Sequence, residues 1–380
     1  MGRHEAGPVV FSRVRRARLA RGVSQGELAR RVGLTRQALS AIEGGQSLPS
    51  TLVSLRLARE LMCQVEDLFS LDDSVAEAVD IVGPVTRGSS RLAVAKIRGR
   101  WIGHPLSAGR ELQEGFAGAD GIWDPAGSSV EARLLAPREV LERTALLLGC
   151  DPSLGVLAQH LAEWRSEARV HWLSAASQAA LDALSRGEAH LAGSHLRDRV
   201  TGEYNVPQAG RALRVSGGIV VAFARWEQGF VVAAGNPKSI RSAADLARPD
   251  VRLINREVGA GSRALLDELL EQVGVRPENI RGYADVVTGH IAVARAVASG
   301  VADVGVGLEA VARALGVDFV PQATVHFDLV IPRDHIQHPS VALLLDQLQT
   351  GALRSDLRAL PGYDVSQTGS VVADLATVTN

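Results

Sequence analysis

Three short stretches place small polar residues where a strand pattern gives way to a helix: Asp151-Pro-Ser153, Ser177-Gln178 and Gly261-Ser262-Arg263. A helix N-terminus presents unpaired N–H groups and the positive end of the helix dipole. Serine hydroxyls there add donors with little bulk, so Ser153, Ser177 and Ser262 together can surround a small oxyanion. Arg263 and Arg256 can add charge-assisted bonds. Each serine taken alone also reads as an ordinary helix cap. Asp151 repels an anion, so its expected part is to orient the loop or to bind a donor group of an organic ligand. A second set lies near the N-terminus. Arg36 and Gln37 point outward from the first turn of a short helix, where they suit hydrogen bonding to base edges in a major groove.

The elements that must position Arg36 and Gln37 are two helices joined by a tight turn. Ser24 with Glu27 reads as a capping box. Leu28, Ala29 and Val32 give the first helix an apolar face, and Gly33 suits a left-handed C-terminal turn. Thr35 caps the second helix, Ala38, Leu39 and Ile42 face inward, and Gly44-Gly45 stop it. From about Phe11 to Phe69 the chain resembles the helix-turn-helix of the Xre/Cro/phage-repressor family. The likeness includes a first helix over Val14–Gly22, Ile42-Glu43-Gly-Gly and Pro49-Ser50 opening a fourth helix. It implies operator DNA as partner, Gln25 as a phosphate contact, and Arg36, Gln37 and Ser40 as base or phosphate readers beside Thr35. A hairpin used only for packing is the competing reading. Eight arginines against one acid between Ser12 and Ser40 supply a local phosphate attraction.

The 380 residues suffice for two or three domains, and at 46% hydrophobic they can bury large cores. Net charge is −1, so the basic block is local. Only two lysines accompany 39 arginines, which reads as a genomic composition bias. Two cysteines, Cys63 and Cys150, make no disulfide framework and have no metal-ligand spacing. No signal-peptide core and no membrane-spanning run is visible, so a cytoplasmic protein is expected. Residues 1–10 read as disordered.

The fold class read from the pattern is multidomain: an all-α helix-turn-helix domain over 11–70, a linker and small β-rich unit over 71–143, an α/β domain over 144–357, and a C-terminal tail over 358–380. In the α/β part the pattern gives separate strands over Gly217–Phe223, Gly229–Ala234, Asp318–Val320 and His326–Pro332, and a last helix over about Ser340–Leu353. Strand–helix alternation argues for open parallel sheets. Residues 144–357 resemble a type-II periplasmic-binding-protein fold with two lobes and a hinge, and more narrowly the PBP-like domain attached to helix-turn-helix regulators and molybdopterin-biosynthesis proteins. The matching pieces include Gly149-Cys-Asp-Pro-Ser-Leu-Gly155, Ala192-Gly-Ser-His-Leu196, Thr201-Gly-Glu-Tyr-Asn205, Gln228-Gly-Phe, Asn255–Arg263 and Ser299–Gly307. Where the family reads Gly-Ser-Gly-Thr-Arg, this chain has Gly259-Ala-Gly-Ser-Arg263, one hydroxyl fewer.

That resemblance, through tungstate- and molybdate-binding proteins, implies a cleft ligand held by Ser153, Ser177, Gln178, Ser262, Arg263 and Arg256. It raises His195, Tyr204 and Asn205, which can equally be a structural turn. His290 opens a helix as a cap or a ligand donor. No catalytic set, metal set or cofactor is expected. The function implied is a cytoplasmic one-component transcriptional regulator, not an enzyme, that senses molybdate, tungstate or a molybdenum-cofactor-related compound. The alternatives are an organic metabolite effector, or a molybdenum-cofactor enzyme with an appended DNA-binding domain. Expected partners are double-stranded operator DNA, the small effector and a second copy of the chain, with 71–143 as the candidate dimer contact, and no membrane.

Overall fold

The computed structural model describes residues 10–71, 76–85, 90–106, 116–125, 131–164 and 167–377. The chain divides into two compact units, Met1–Ala76 and Glu77–Asn380. Among the described residues no helix is long and apolar enough to cross a membrane.

Among its described residues the first unit has five helices: α1 (Val14–Ala20), α2 (Gln25–Val32), α3 (Arg36–Glu43), α4 (Thr51–Glu60) and α5 (Val65–Leu68). Their caps are local. Ser24, Thr35 and Ser50 each accept a hydrogen bond from the backbone N–H three residues on. Gly33 adopts φ 75°, the left-handed turn that ends α2. The capping box is only half formed, because the Glu27 carboxylate pairs with Arg31 one turn along. Leu28, Val32, Leu39, Ile42, Leu57 and Leu68 close a single core. Most of the segment expected to be disordered, 1–9, lies outside the described residues, but Val10 opens a strand. β1 (Val10–Ser12) pairs antiparallel with β2 (Phe69–Leu71) and ties the two ends of the helical unit together.

The second unit begins with a six-stranded sheet. Its strands are β3 (Ala76–Ala78), β4 (Asp80–Ile81), β5 (Arg91–Ile97), β6 (Arg100–Pro105), β7 (Gly121–Trp123) and β8 (Glu131–Leu134), in the order β3-β8-β7-β5-β6-β4. Ala93, Ala95 and Ile97 of β5 pack on Leu146, Leu148 and Leu173, so this sheet shares a core with the α/β part.

After α6 (Arg138–Glu142) come β9 (Thr144–Leu148), α7 (Leu154–Trp164), β10 (Arg169–Leu173), α8 (Ser177–Ser185), β11 (Leu191–Ser194), α9 (Val206–Ala212) and β12 (Gly218–Val232). The chain continues through β13 (Leu253–Arg256), α10 (Gly261–Gln272), β14 (Val286–Val287), α11 (His290–Ala298), β15 (Val304–Leu308), α12 (Glu309–Ala314) and β16 (Asp318–Pro332). It ends with α13 (Pro339–Leu348), α14 (Gly351–Arg358), β17 (Tyr363–Asp364) and β18 (Val371–Leu375). The strand order is β10-β9-β11-β16-β12-β15-β13-β14. β9–β11 are parallel neighbours and form lobe one, and β13–β15 do the same for lobe two. β12 and β16, each 15 residues long, run antiparallel through both lobes.

Those two strands correct three expectations. The four short strands expected at 217–234 and 318–332 are two continuous ones. Around Arg225 and Glu227 the polar residues alternate outward while Ala224, Trp226 and Gln228 stay buried, so a strand in transit between lobes imitates a break. The sheet is mixed, not purely parallel. Residues 358–380 are not a tail over their described length. β17 and β18 pair with β12, placing Tyr363 opposite Trp226 and Ala373 opposite Val220. The last helix is also two helices, separated where Thr350 caps Leu353.

Candidate functional site

On the helical unit, Arg36, Gln37 and Ser40 are exposed on α3 while Leu39 and Ile42 are buried. Thr35 serves as the cap of that helix, its Oγ1 accepting from Ala38 N–H at 3.1 Å. Gln25 is held on both sides. Its Nε2 donates to Glu43 Oε2 at 3.0 Å, and its Oε1 accepts from Arg36 Nε at 3.3 Å. Glu43 is in turn fixed by Arg18, with Nε to Oε1 at 2.7 Å and side chains 9% and 4% exposed. A buried ion pair therefore anchors a polar chain that ends on an exposed arginine. Arg15, Arg18, Gln25, Arg36 and Ser40 line one open cleft.

In the α/β part, strand ends and helix starts converge between the lobes. Asp151 follows β9 and is fully buried. It accepts from Ser153 N–H (2.9 Å), Ser153 Oγ (2.8 Å), Tyr363 OH (2.6 Å) and Trp226 Nε1 (3.1 Å). Burial raises its pKa against these four donors. Asp151 is thus the tie of its loop, as the orienting alternative expected, and the Ser153 hydroxyl proton is already committed to it. Ser177 opens α8. Its Oγ accepts from His195 N–H at 3.2 Å. Gln178 does not enter the cavity. It is exposed, its Nε2 donates to Asp182 at 2.8 Å, and its backbone N–H reaches across to the Gly259 carbonyl of lobe two at 3.2 Å.

His195, at the end of β11, is 2% exposed and stands against Trp226 with ring centroids 4.9 Å apart. Gly261 opens α10 directly over it. A Cβ at 261 would lie 2.5 Å from His195 Cε1, so a side chain there would displace the ring or separate the lobes. His290 opens α11 with 1% exposure, its ring 6.0 Å from that of His195. Burial is the main cause that holds both imidazoles neutral. Together with the Arg256 charge it takes His195 down to about 3 and moves His290 in the same direction. Burial pushes the Cys150 thiol up to about 12.

The two arginines, both expected to bond the ligand, are placed differently. Arg263 turns away from the cavity, stacks on Tyr283 with its guanidinium carbon 4.1 Å from the ring, and pairs with Asp267 at 3.3 Å. Arg256 is 1% exposed. Its Nε and one terminal nitrogen clamp Glu257 at 2.7 and 2.8 Å, and its other terminal nitrogen has no partner. Ser262 accepts from Gln228 Nε2 at 2.5 Å. Tyr204 is half-buried and stacks on His326 at 4.9 Å, at the outer edge of the cavity. Asn205 is a structural turn. At φ 61° it donates to Asp328 Oδ2 (2.7 Å) and accepts from Leu196 N–H (2.9 Å).

Among the described residues, six of the twelve buried side-chain nitrogens and oxygens without a hydrogen-bond partner belong to this one interlobe cluster of side chains: both ring nitrogens of His195 and of His290, Gln228 Oε1 and one Arg256 nitrogen. Each such group costs about 1–3 kcal/mol until something meets it. The expectation of no metal set is also altered. Cys150, His195 and His290, distant in sequence, bring one donor atom each within 4.8 Å of one another. Sequence reasoning missed Trp226, Glu257 and Tyr363, and used Gln228 only as part of a motif. The buried alternation of β12 was the available signal for Trp226 and Gln228.

Residues 158–349 match the family described as a PBP superfamily domain, and residues 14–68 match the helix-turn-helix family. A Bacillus subtilis protein named as uncharacterized protein YvgK is 33% identical over 245 residues, covering 63% of this chain and 79% of that protein. An uncharacterized HTH-type transcriptional regulator of Methanothermobacter thermautotrophicus is 43% identical over 65 residues, 17% of this chain and 94% of its own. Among solved structures, an ABC-type phosphate transport receptor from Vibrio cholerae aligns over 57% of this chain and 98% of its own, at 14% identity and a TM-score of 0.40.

Proposed function

The chain belongs to the family that carries the PBP superfamily domain, here joined to a helix-turn-helix, and from that premise we propose that it is a cytoplasmic one-component transcriptional regulator sensing a molybdate- or tungstate-type oxyanion. The observation that carries the reading is the set of buried, unpartnered groups around Arg256, His195 and His290. The free guanidinium nitrogen and one N–H from each neutral imidazole are donors, and Ser177 and Ser262 add hydroxyls. The donors come from both lobes, so an anion touching all of them binds the closed arrangement better than an open one. That difference in affinity is what can shift the regulator between states. Operator DNA is read by Arg36, Gln37 and Ser40, with Gln25 orienting Arg36, and two chains pair to span two half-sites.

Gln228 Oε1 favours a second reading. It is a buried acceptor without a donor, which a fully deprotonated oxyanion cannot supply, whereas an organic acid with an N–H or O–H can. Calorimetry with molybdate, tungstate, sulfate and a panel of organic acids, repeated as an operator shift assay, separates the two. Heat and a changed operator affinity with molybdate or tungstate but not sulfate support the first. A response confined to organic acids replaces it with the second.

A further inference from the structure

Cys150 lies in the turn after β9, His195 at the end of β11 and His290 at the start of α11, so the first two belong to lobe one and the third to lobe two. All three are buried, and their donor atoms lie within 4.8 Å of one another. In a tetrahedral zinc site with one sulfur and two nitrogens the ligand atoms stand roughly 3.3–3.6 Å apart, within reach of small rotamer changes from this starting point. The donors are unoccupied by other duties: no ring nitrogen of His195 or His290 has a hydrogen-bond partner. A thiolate and two imidazoles are the donor set preferred by zinc(II) and its late first-row neighbours. Supporting contacts are present as well. The Ser177 hydroxyl accepts from the His195 backbone N–H, and the Trp226 indole packs against both imidazoles.

The Arg256 charge acts on both imidazoles and opposes a cation there, so the groups that offset it matter. Arg256 is clamped by Glu257 through two hydrogen bonds, and the Asp151 carboxylate is bonded to Trp226, which packs on both imidazoles. A dianion held by Arg256 and neutral donors keeps part of its charge uncompensated, and a second buried cation would offset it. A divalent ion held by one thiolate and two neutral imidazoles contributes a net positive charge and has one coordination position left over. We propose that Cys150, His195 and His290 bind a zinc-like transition-metal ion that draws the two lobes together, and that its fourth position is where the effector attaches. The attachment of an anionic effector rests on the reading in the preceding subsection, whereas the three-residue metal site does not.

The test uses full-length protein and cobalt(II) as a spectroscopic probe, followed by zinc(II) displacement. The expected result is one cobalt per chain with a near-ultraviolet sulfur-to-metal charge-transfer band and the strong visible bands of four-coordinate cobalt, all abolished by zinc. Cys150→Ser should remove the charge-transfer band and weaken binding roughly 10–100-fold, His290→Gln should weaken it similarly, and Cys63→Ser should change nothing. Circular dichroism and the thermal unfolding transition of the α/β unit, which carries all three residues, report that each variant is folded. Absence of the band in the parent protein, or its persistence in Cys150→Ser, overturns the metal site. Molybdate calorimetry with and without zinc then separates the two readings. Tighter molybdate binding with zinc supports the shared site, and identical isotherms overturn the fourth-position attachment. No molybdate heat in the zinc-loaded protein removes the oxyanion reading while the cobalt result stands.

Discussion

The helical unit and the interlobe cavity handle polar side chains in opposite ways. On the helical unit the groups proposed to read DNA, Arg36, Gln37 and Ser40, are exposed to water. The buried polar pair beneath them, Arg18 and Glu43, is fully matched. In the cavity the polar groups are buried first and left unmatched. A surface reader can rely on water until its partner arrives. A buried site stores unsatisfied hydrogen-bonding capacity in the folded protein, and a ligand releases it. The difference teaches where a small effector can exert leverage: in the region whose folded state is incomplete without it.

The largest expected effect tests whether the helical unit truly rests on its matched pair. Arg18→Ala leaves Glu43 buried without its cation and should cost about 3–5 kcal/mol of that unit's stability, read by thermal denaturation. A loss below about 1 kcal/mol would mean that the pair is not the anchor. Next, Arg256→Gln removes the free donor of the cavity and should weaken the effector by about 2–3 kcal/mol in calorimetry, while operator affinity without effector is unchanged. An equal loss of operator affinity would erase the contrast between the two regions. Gln37→Ala should cost about 1–3 kcal/mol on the cognate operator and little on random DNA, measured by fluorescence anisotropy. Equal losses on both would make Gln37 a phosphate contact.

Smaller effects sharpen the boundary of the cavity. The lobes are joined at its rim by Arg197–Glu268, an exposed pair at 2.7 Å. Arg197→Ala should shift effector affinity by about 0–1 kcal/mol, and less in high salt. Arg263→Ala is the internal control, because its guanidinium is engaged with Asp267 and Tyr283. Effector affinity should stay within about 0.5 kcal/mol of the parent. A larger loss would return Arg263 to the site and displace Arg256 from its leading position.

Much of this was legible in the sequence wherever the cause is local. Ser24, Thr35 and Ser50 cap helices because a serine or threonine oxygen reaches an N–H three residues away, and Gly33 turns the chain because it lacks a Cβ. The strand–helix alternation and the placement of Ser177, Ser262 and His290 at helix starts follow from periodicity and the same short-range rules. Asp151 was left between orienting its loop and binding a donor group, and its bonds from Tyr363 and Trp226 came only with the fold.

Tertiary structure alone decided the rest. Arg256 and Arg263 each have an acid nearby in sequence, Glu257 and Asp267, so charge pattern alone does not rank them. One ends a buried strand and the other lies one helical turn from Asp267, and only the packed sheet sends the first inward. The union of short strands into β12 and β16 depends on their pairing with each other along their full length. That pairing also brings Tyr363 from the expected tail onto Asp151. Cys150, His195 and His290 meet because strand order, a long-range property, stacks their turns at one edge of the cleft. Sequence determines what each segment does with its neighbours a turn or two away. Which distant segments share a cavity is settled when hydrophobic burial selects one arrangement of sheets, and the chemistry of this site depends on that selection.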